Sequence, residues 1–316
     1  MKWPSVGVVV PTRNHPDILR RALAAIDAQT YPGPLRVIVV YDQAEPDAGL
    51  ARDGDRPVRV QANSRRAGLA GARNSGILAL DTELVAFCDD EDEWRPGKLT
   101  AQVEALSAAP SADLASCAIE LAYRHHRSPR LIGQTHIGLD RLARSPIGAL
   151  CSSSFLVRRP SLVGPQGCGL FAEDAPGRQN EDWDLLMRAA RRAPIEHVDE
   201  PLVRVRWRAQ GHYGYEYAAR ISSLRWMMTR HPEIRGCAPG AARRPVSPVG
   251  WSATGLDRRA VPDASSQTGR HVNGNRPDTG RYHWAAMRND WSGPRTPPVS
   301  RGGVSPGPEA GALSPG

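Results

Sequence analysis

The segment "FCDDEDEW", Phe87 to Trp94, places five carboxylates in eight residues, Asp89, Asp90, Glu91, Asp92 and Glu93, directly after an apolar run. Like charge at that density is unfavourable unless it is solvated, meets arginines or holds a cation. Hard divalent cations such as Mg²⁺ or Mn²⁺ take carboxylate oxygens and bridge them to phosphates, so metal-assisted handling of a diphosphate is one chemistry the segment offers. A second acidic pair, Glu181 and Asp182, opens "NEDWDLLMRAA" and could supply a general base. Acids at a helix start are also favoured by the helix dipole alone. Polar residues follow two further apolar runs: Pro11-Thr12-Arg13-Asn14 after "VGVVV", and Asp42 after "LRVIVV". Thr12 and Asn14 could equally start a helix as capping residues, and Asp42 could simply end a strand.

These residues need elements to position them, and up to about Pro232 the pattern supplies a series. "VGVVV" (Val6 to Val10), "LRVIVV" (Leu35 to Val40), "VRV" (Val58 to Val60) and "ELVAFC" (Glu83 to Cys88) read as buried strands. "PDILRRALAAIDAQ", with Ile18, Leu19, Ala22, Leu23 and Ile26 on one face, and "GLAGARNSGILAL" read as the intervening helices. Alternation of this kind implies a mostly parallel sheet covered on both faces, and in such sheets ligands bind beyond the carboxyl ends of the strands. Each polar cluster falls there. In the second half, "CSSSFLVRR" (Cys151 to Arg159) reads as a strand, "NEDWDLLMRAARRA" as an amphipathic helix and "IEHVDEPLVRVRW" as extended segments. "YEYAARISSLRWMMTRH" reads as a last helix with Ile221, Leu224 and Met228 on one side.

Composition narrows the classes. No apolar stretch reaches the roughly 18 residues of a membrane span, and Met1 to Pro11 lacks the long apolar segment of a secretory signal, so the expected location is the cytoplasm. Five cysteines without a CxxC pair argue against a zinc site or a disulfide framework and for reduced, mostly buried thiols. From Gly236 onward ten arginines stand against five acids, a net +5 of the total +8, in a Pro, Gly, Ser and Arg-rich stretch with neither Ile nor Phe. Such a stretch cannot bury enough apolar surface to offset ordering entropy, so residues 236–316 are expected to form a disordered tail, native or an out-of-frame extension. Its basic residues are scattered without interleaved aromatic stacking motifs, which argues against a nucleic-acid partner.

The order strand-"PTRN"-helix, "VIVVYDQAEPD", "RRAGLAGARNSGI", "VAFCDDEDEWRPGKL" and "NEDWDLLMRAA" resembles that of a family 2 glycosyltransferase with the GT-A fold, over roughly Ser5 to His231. The resemblance implies an α/β domain over residues 1–235, with a nucleotide-binding half to about 110 and an acceptor half after it. It implies an inverting, hexosyltransferase-type enzyme that uses a nucleoside-diphosphate sugar and Mg²⁺ or Mn²⁺, without a covalent intermediate. By the same resemblance Pro11, Thr12 and Asn14 border the nucleotide base, and Asp42 contacts it. Tyr41 departs from the family's usual acid there, which leaves the base open with UDP as the first expectation. Arg73 and Asn74 flank the diphosphate. Asp89 and Glu91 match the ends of the DxD signature with Asp90 between them on the nucleotide-sugar, and Asp89, Glu91 and Asp92 are the implied metal ligands, joined by His212 after the last strand. Glu181-Asp182 matches the ED motif, whose Asp serves as catalytic base.

The chemistry agrees with these roles. The leaving diphosphate needs its developing charge neutralised, which a carboxylate-held cation does, and one carboxylate suffices to take the acceptor's proton. Replacing Asp89 and Glu91 together with Asn and Gln is expected to leave the fold intact. A nucleotidyltransferase would share the layout and the metal, but "PTRNHP" lacks the glycine-rich phosphate loop that reaction requires. A degenerate, non-catalytic binding protein is the remaining alternative. The acceptor, a glycan, a lipid-linked or a small molecule, has no signature in the sequence. A lipid-linked one would bring peripheral contact with the inner membrane face through an amphipathic docking helix, and the periodicity singles none out.

Overall fold

A computed structural model gives the structure of the protein over residues 2–13, 15–123, 125–206 and 217–237. Asn14, His212 and, of the tail expected to be disordered, residues 238–316 lie outside the described residues.

The β-branched run forms β1 (Val6–Thr12), buried at every position. Helix α1 (Pro16–Asp27) starts with proline in its first turn, where the missing N–H costs nothing, and buries Leu19, Ala22 and Ile26. Then come β2 (Leu35–Tyr41), β3 (Val58–Ala62), α2 (Leu69–Ala79) and β4 (Leu84–Phe87). These strands run parallel in the order β3-β2-β1-β4. Successive strands step outward from β1 to β3, and the chain then returns to lay β4 on β1's other side. The order reverses between β1 and β4, and at such a switch point the two strand ends open a crevice.

The acceptor side continues the same sheet. After β5 (Glu93–Trp94) and α3 (Lys98–Ala108) come β6 (Leu114–Tyr123), β7 (His126–Arg130), β8 (His136–Ile137), α4 (Leu139–Arg144), β9 (Leu156–Arg158), α5 (Arg159–Val163), α6 (Glu181–Ala190), β10 (Ile195–Arg206) and α7 (Tyr217–Arg230). Strand β9 lies antiparallel to both β4 and β6 and so joins the two halves, while β10 runs parallel to β6. The expected extended segments from Ile195 form one twelve-residue strand, irregular in register around Pro201. The sheet is thus mixed, parallel where the nucleotide half was expected and stitched by antiparallel strands beyond it.

Period-2 alternation sends side chains to two cores, one on each face. Val6, Val8, Val10, Val37 and Val39 pack with α1 and α3 residues on one face. Val9, Ile38, Val40, Val85 and Phe87 pack with α2 and α6 residues on the other. Cys88, Cys117, Cys151 and Cys168 are buried, as small apolar residues would be.

One expectation is corrected, and one helix face is assigned. Cys151 to Arg159 is not one strand: only Leu156–Arg158 pairs, and Ser152–Ser154 forms a 3₁₀ turn closed by Ser154 N donating to Cys151 O at 2.9 Å and Phe155 N to Ser152 O at 2.9 Å. All three serines are fully buried, and Ser152 and Ser153 direct hydroxyls toward Asp89 rather than into a ladder. In α7 the side carrying Ile221, Leu224 and Met228 faces outward, and the buried residues are Ser223 and Met227.

Helix α2 lies close on β1, since a Cβ at Gly76 would meet Val9 Cγ1 at 2.4 Å. Gly76→Ala is therefore expected to destabilise the protein by about 1–3 kcal/mol through overpacking, read as a lowered midpoint in denaturant unfolding.

Candidate active site

Beyond the carboxyl ends of β1 and β4, Thr12 Oγ1 donates to Asp90 Oδ2 at 2.7 Å, with His15 Nδ1 3.5 Å from the same oxygen. Pro11 and Thr12 are both buried at this strand end. The acidic octet alternates along its length: Asp89, Glu91 and Glu93 are half-buried, whereas Asp90, Asp92 and Trp94 are buried. The alternation distributes the like charges among separate partners. Asp89 meets Arg73, Asp90 meets Thr12 and His15, and Glu93 meets Arg204 at 3.0 Å and Arg206. Burial opposes ionisation of Glu93, but those two arginines outweigh it and hold its carboxyl below the usual range.

Arg73 has no exposed surface. Its Nη2 donates to Asp89 Oδ1 at 2.6 Å and to Ser152 Oγ at 2.7 Å, and its Nη1 to Glu181 Oε1 at 3.1 Å. The guanidinium also lies over the Phe171 ring, 5.3 Å from its centroid. Arg73 thus faces two carboxylates inside the protein and joins the octet to the second acidic pair. The expectation that Asp89 and Glu91 can be neutralised without cost to the fold is corrected on the same ground: Asp89 balances a buried cation, and a buried charge that loses its partner is destabilising.

Asn74 and Asp42 are likewise turned into the protein. Asn74 Nδ2 donates to Phe171 O at 2.9 Å and Glu173 Oε1 at 2.8 Å, and its Oδ1 accepts from Phe171 N at 3.0 Å, so it clamps the loop that leads to α6. Asp42, fully buried, accepts from Gln43 Nε2 at 2.8 Å, Asn63 Nδ2 at 2.6 Å and Gly68 N at 3.0 Å. It fixes the turn into α2, where Gly68 has the left-handed φ of +128° that favours glycine.

Glu181 and Asp182 stand in the first turn of α6, after Asn180 at a left-handed φ of 65°. Glu181 is buried against Arg73, while Asp182 is half-buried and accepts from Trp183 N at 2.9 Å. Of the pair, Asp182 has the accessibility to reach a ligand. Asp89, Arg73, Ser152 and Glu181 form one contiguous polar chain at the strand ends.

The acids suit a metal by donor type. Asp89 and Glu91 are hard-oxygen donors, both half-buried at the end of β4. Among the described residues no three His, Cys, Asp or Glu side chains converge as a ready-made site. Asp92 is buried in the octet, its N–H donating to Asp89 O at 3.0 Å.

Two residues of the site escape the sequence reading. Glu173 receives Asn74 and Arg65, which together overcome the burial that would raise its pKa and hold it low. Asp184, fully buried, accepts from Arg188 Nε at 2.9 Å, Arg230 Nε at 3.0 Å and His231 Nε2 at 2.9 Å, and so fastens α7 to α6. Arg191 donates to His231 Nδ1 at 2.7 Å, which leaves the proton of that ring on Nε2. The i,i+4 spacing of Asp184 and Arg188 was the only signal in the sequence; the partners from α7 are visible only in three dimensions.

Residues 7–162 match the family model of Glycosyl transferase family 2. The chain is 32% identical over 160 residues to the succinoglycan biosynthesis protein ExoO of Rhizobium meliloti, across 50% of this chain and 44% of that one. It is 29% identical over 122 residues to the GalNAc(5)-diNAcBac-PP-undecaprenol beta-1,3-glucosyltransferase of Campylobacter jejuni, across 37% of this chain and 39% of that one. Each match thus covers less than half of the relative's length. Among solved structures, S. aureus TarS 1-349 in complex with UDP-GlcNAc superposes with a TM-score of 0.58 at 19% identity, over 74% of this chain and 66% of that one. The UDP complex of the same protein gives 0.56 at 16%, over 73% and 65%. The shared architecture is the GT-A type.

Burial alone would raise the pKa of Asp184, but His231, Arg188 and Arg230 pull it down to about 2. A carboxylate depressed in the folded state stabilises the protein above its unfolded pKa near 4, and the contribution disappears as pH falls toward 2. Asp184→Asn is therefore expected to cost about 3 kcal/mol at pH 7, with the gap to the native protein closing between pH 4 and pH 2, as measured by denaturant unfolding across that range.

Proposed function

The chain belongs to Glycosyl transferase family 2, and on that premise we propose that it moves a sugar from a nucleoside-diphosphate sugar to an acceptor hydroxyl with inversion at the anomeric carbon. The observation that carries the proposal is the buried Arg73 bridge, which brings Asp89 of the octet and Glu181 of the second acidic pair to one place at the carboxyl ends of the sheet. Donor and acceptor then meet across the switch-point crevice.

In this reading Asp182 takes the proton from the acceptor hydroxyl as the oxygen attacks the anomeric carbon and the bond to the diphosphate breaks, in one displacement. Glu181 and Arg73 are positioning residues: their ion pair fixes the first turn of α6 and thereby the carboxylate of Asp182. Asp89 and Glu91 would hold Mg²⁺ or Mn²⁺ together with the donor's phosphates. Such an ion supplies Lewis-acid neutralisation of the leaving diphosphate. Thr12 and Asp42 shape the base end of the crevice through the contacts they make with Asp90, Asn63 and Gly68.

Uridine is the proposed base, since TarS of the same fold is described with UDP and with UDP-GlcNAc. A polyprenol-linked glycan is the acceptor class suggested by the C. jejuni relative, whose name specifies an undecaprenol-linked substrate. An acceptor of that kind places the reaction at the cytoplasmic membrane face. Among the described residues no helix is long and apolar enough to cross a membrane.

Calorimetric titration of the full chain with UDP, GDP and dTDP, each with and without Mn²⁺, is expected to give Mn²⁺-dependent heat with UDP alone; a folded protein that binds none of the three overturns the proposal. Asp182→Asn is expected to lower kcat by about 10²- to 10⁴-fold while UDP affinity stays unchanged, which steady-state kinetics and the same titration check together.

A further inference from the structure

Helix α7 packs on the protein by one side and carries an apolar row on another. Its inner side buries Ser223 and Met227 against the body of the protein. Its outer side carries Tyr217, Ile221, Leu224 and Met228, exposed at 78%, 48%, 46% and 39%. At 100° per residue these four fall within an arc of about 60°. A helix packed on a protein by one face ordinarily turns a polar face to water, and four large apolar side chains in one exposed row require a cover.

The charge on the helix identifies it. Residues 217–230 include Arg220, Arg225 and Arg230 and no acid. Arg220 and Arg225 flank the apolar row on its two sides, and neither pairs with a carboxylate among the described residues. An apolar row bordered by arginines is the pattern of a helix that lies in a membrane interface, with the apolar side chains among the acyl chains and the cations on anionic headgroups. The other covers are disfavoured by sign: residues 236–316 carry a net +5, and a second copy of the chain would set α7 arginines against α7 arginines.

We infer that the outer face of α7 docks the protein on an anionic lipid bilayer. The inner face ties that surface to the candidate site. Ser223 Oγ accepts from Asn180 Nδ2 at 2.7 Å and donates to Gln179 O at 3.0 Å, and Asn180 directly precedes Glu181 and Asp182. A docked α7 therefore holds the start of α6 beside the lipid surface, where, on the transferase reading, a polyprenol-linked acceptor would present its hydroxyl. The docking itself does not depend on that reading.

The test is co-flotation of the full chain with vesicles of phosphatidylcholine alone and of phosphatidylcholine with about 30% phosphatidylglycerol, at about 0.15 M salt. The native protein is expected to float with the anionic vesicles only. Ile221→Ser with Leu224→Ser keeps every charge, including those of residues 236–316, and is expected to partition at least about tenfold more weakly with an unchanged melting curve. Arg220→Glu with Arg225→Glu, with the apolar row intact, is expected to lose binding as well. Equal flotation of the serine variant, or no flotation of the native protein, overturns the inference. So does a concentration-dependent dimer in sedimentation that the serine variant abolishes, because a second copy would then be the cover. None of these readings requires nucleotide binding or activity, so failure here and failure of the transferase proposal are separately visible.

Discussion

A guanidinium with no exposed surface can be held only where carboxylates and acceptors replace its lost hydration, and in this protein that requirement organises the candidate site. Arg73 rises from α2 and is met by Asp89 from the end of β4, Ser152 from the turn before β9 and Glu181 from the start of α6. Four segments far apart in the sequence are thereby drawn to one point. Loss of any partner leaves the cation less compensated, so the acidic groups at the strand ends are constrained by Arg73 as much as by any ligand.

The same logic resolves the density of negative charge in the octet. Alternation of the chain sends Asp90 and Asp92 inward and leaves Asp89, Glu91 and Glu93 toward the crevice and its flank. Neighbouring carboxylates are thus directed to different partners, Arg73, Thr12 with His15, and Arg204 with Arg206.

Helix α6 couples this centre to the periphery. Its first turn carries Glu181, Asp182 and Asp184, and Asp184 gathers Arg188, Arg230 and His231 and so locks α7 in place. Arg188 donates onward to Leu170 O at 2.8 Å and to Cys168 O, while Asn74 holds Phe171 and Glu173 from the other side. The loop before α6 is pinned at both ends, and α7 adds a third clamp through Ser223. The position of Asp182 is therefore set by contacts from α2, α6 and α7 together.

The strands β1 to β4, the helices between them and the placement of acidic groups at strand ends were legible in the sequence, because hydrophobic periodicity and burial are local properties that survive in any correct fold. Family likeness added the pairing of "DDEDE" with "ED" as parts of one site. What the sequence could not decide is direction. Arg73 and Asn74 read as residues open to a ligand, yet they point inward, because their partners Glu181, Phe171 and Glu173 are about a hundred residues away and only the packing of α2 against the loop before α6 brings them together. Ser152 to Ser154 read as a strand start for the same reason: the hydroxyls satisfy Asp89, which no local pattern announces. The row Ile221, Leu224 and Met228 was visible as one face of a helix, but which face meets the protein is fixed by Asp184, Arg191 and Gln179, and those contacts bury Ser223 and turn the apolar row, with Tyr217, outward. A one-dimensional pattern states which side chains share a face; only tertiary contacts, with their competing hydrogen bonds and ion pairs, select the face that is buried.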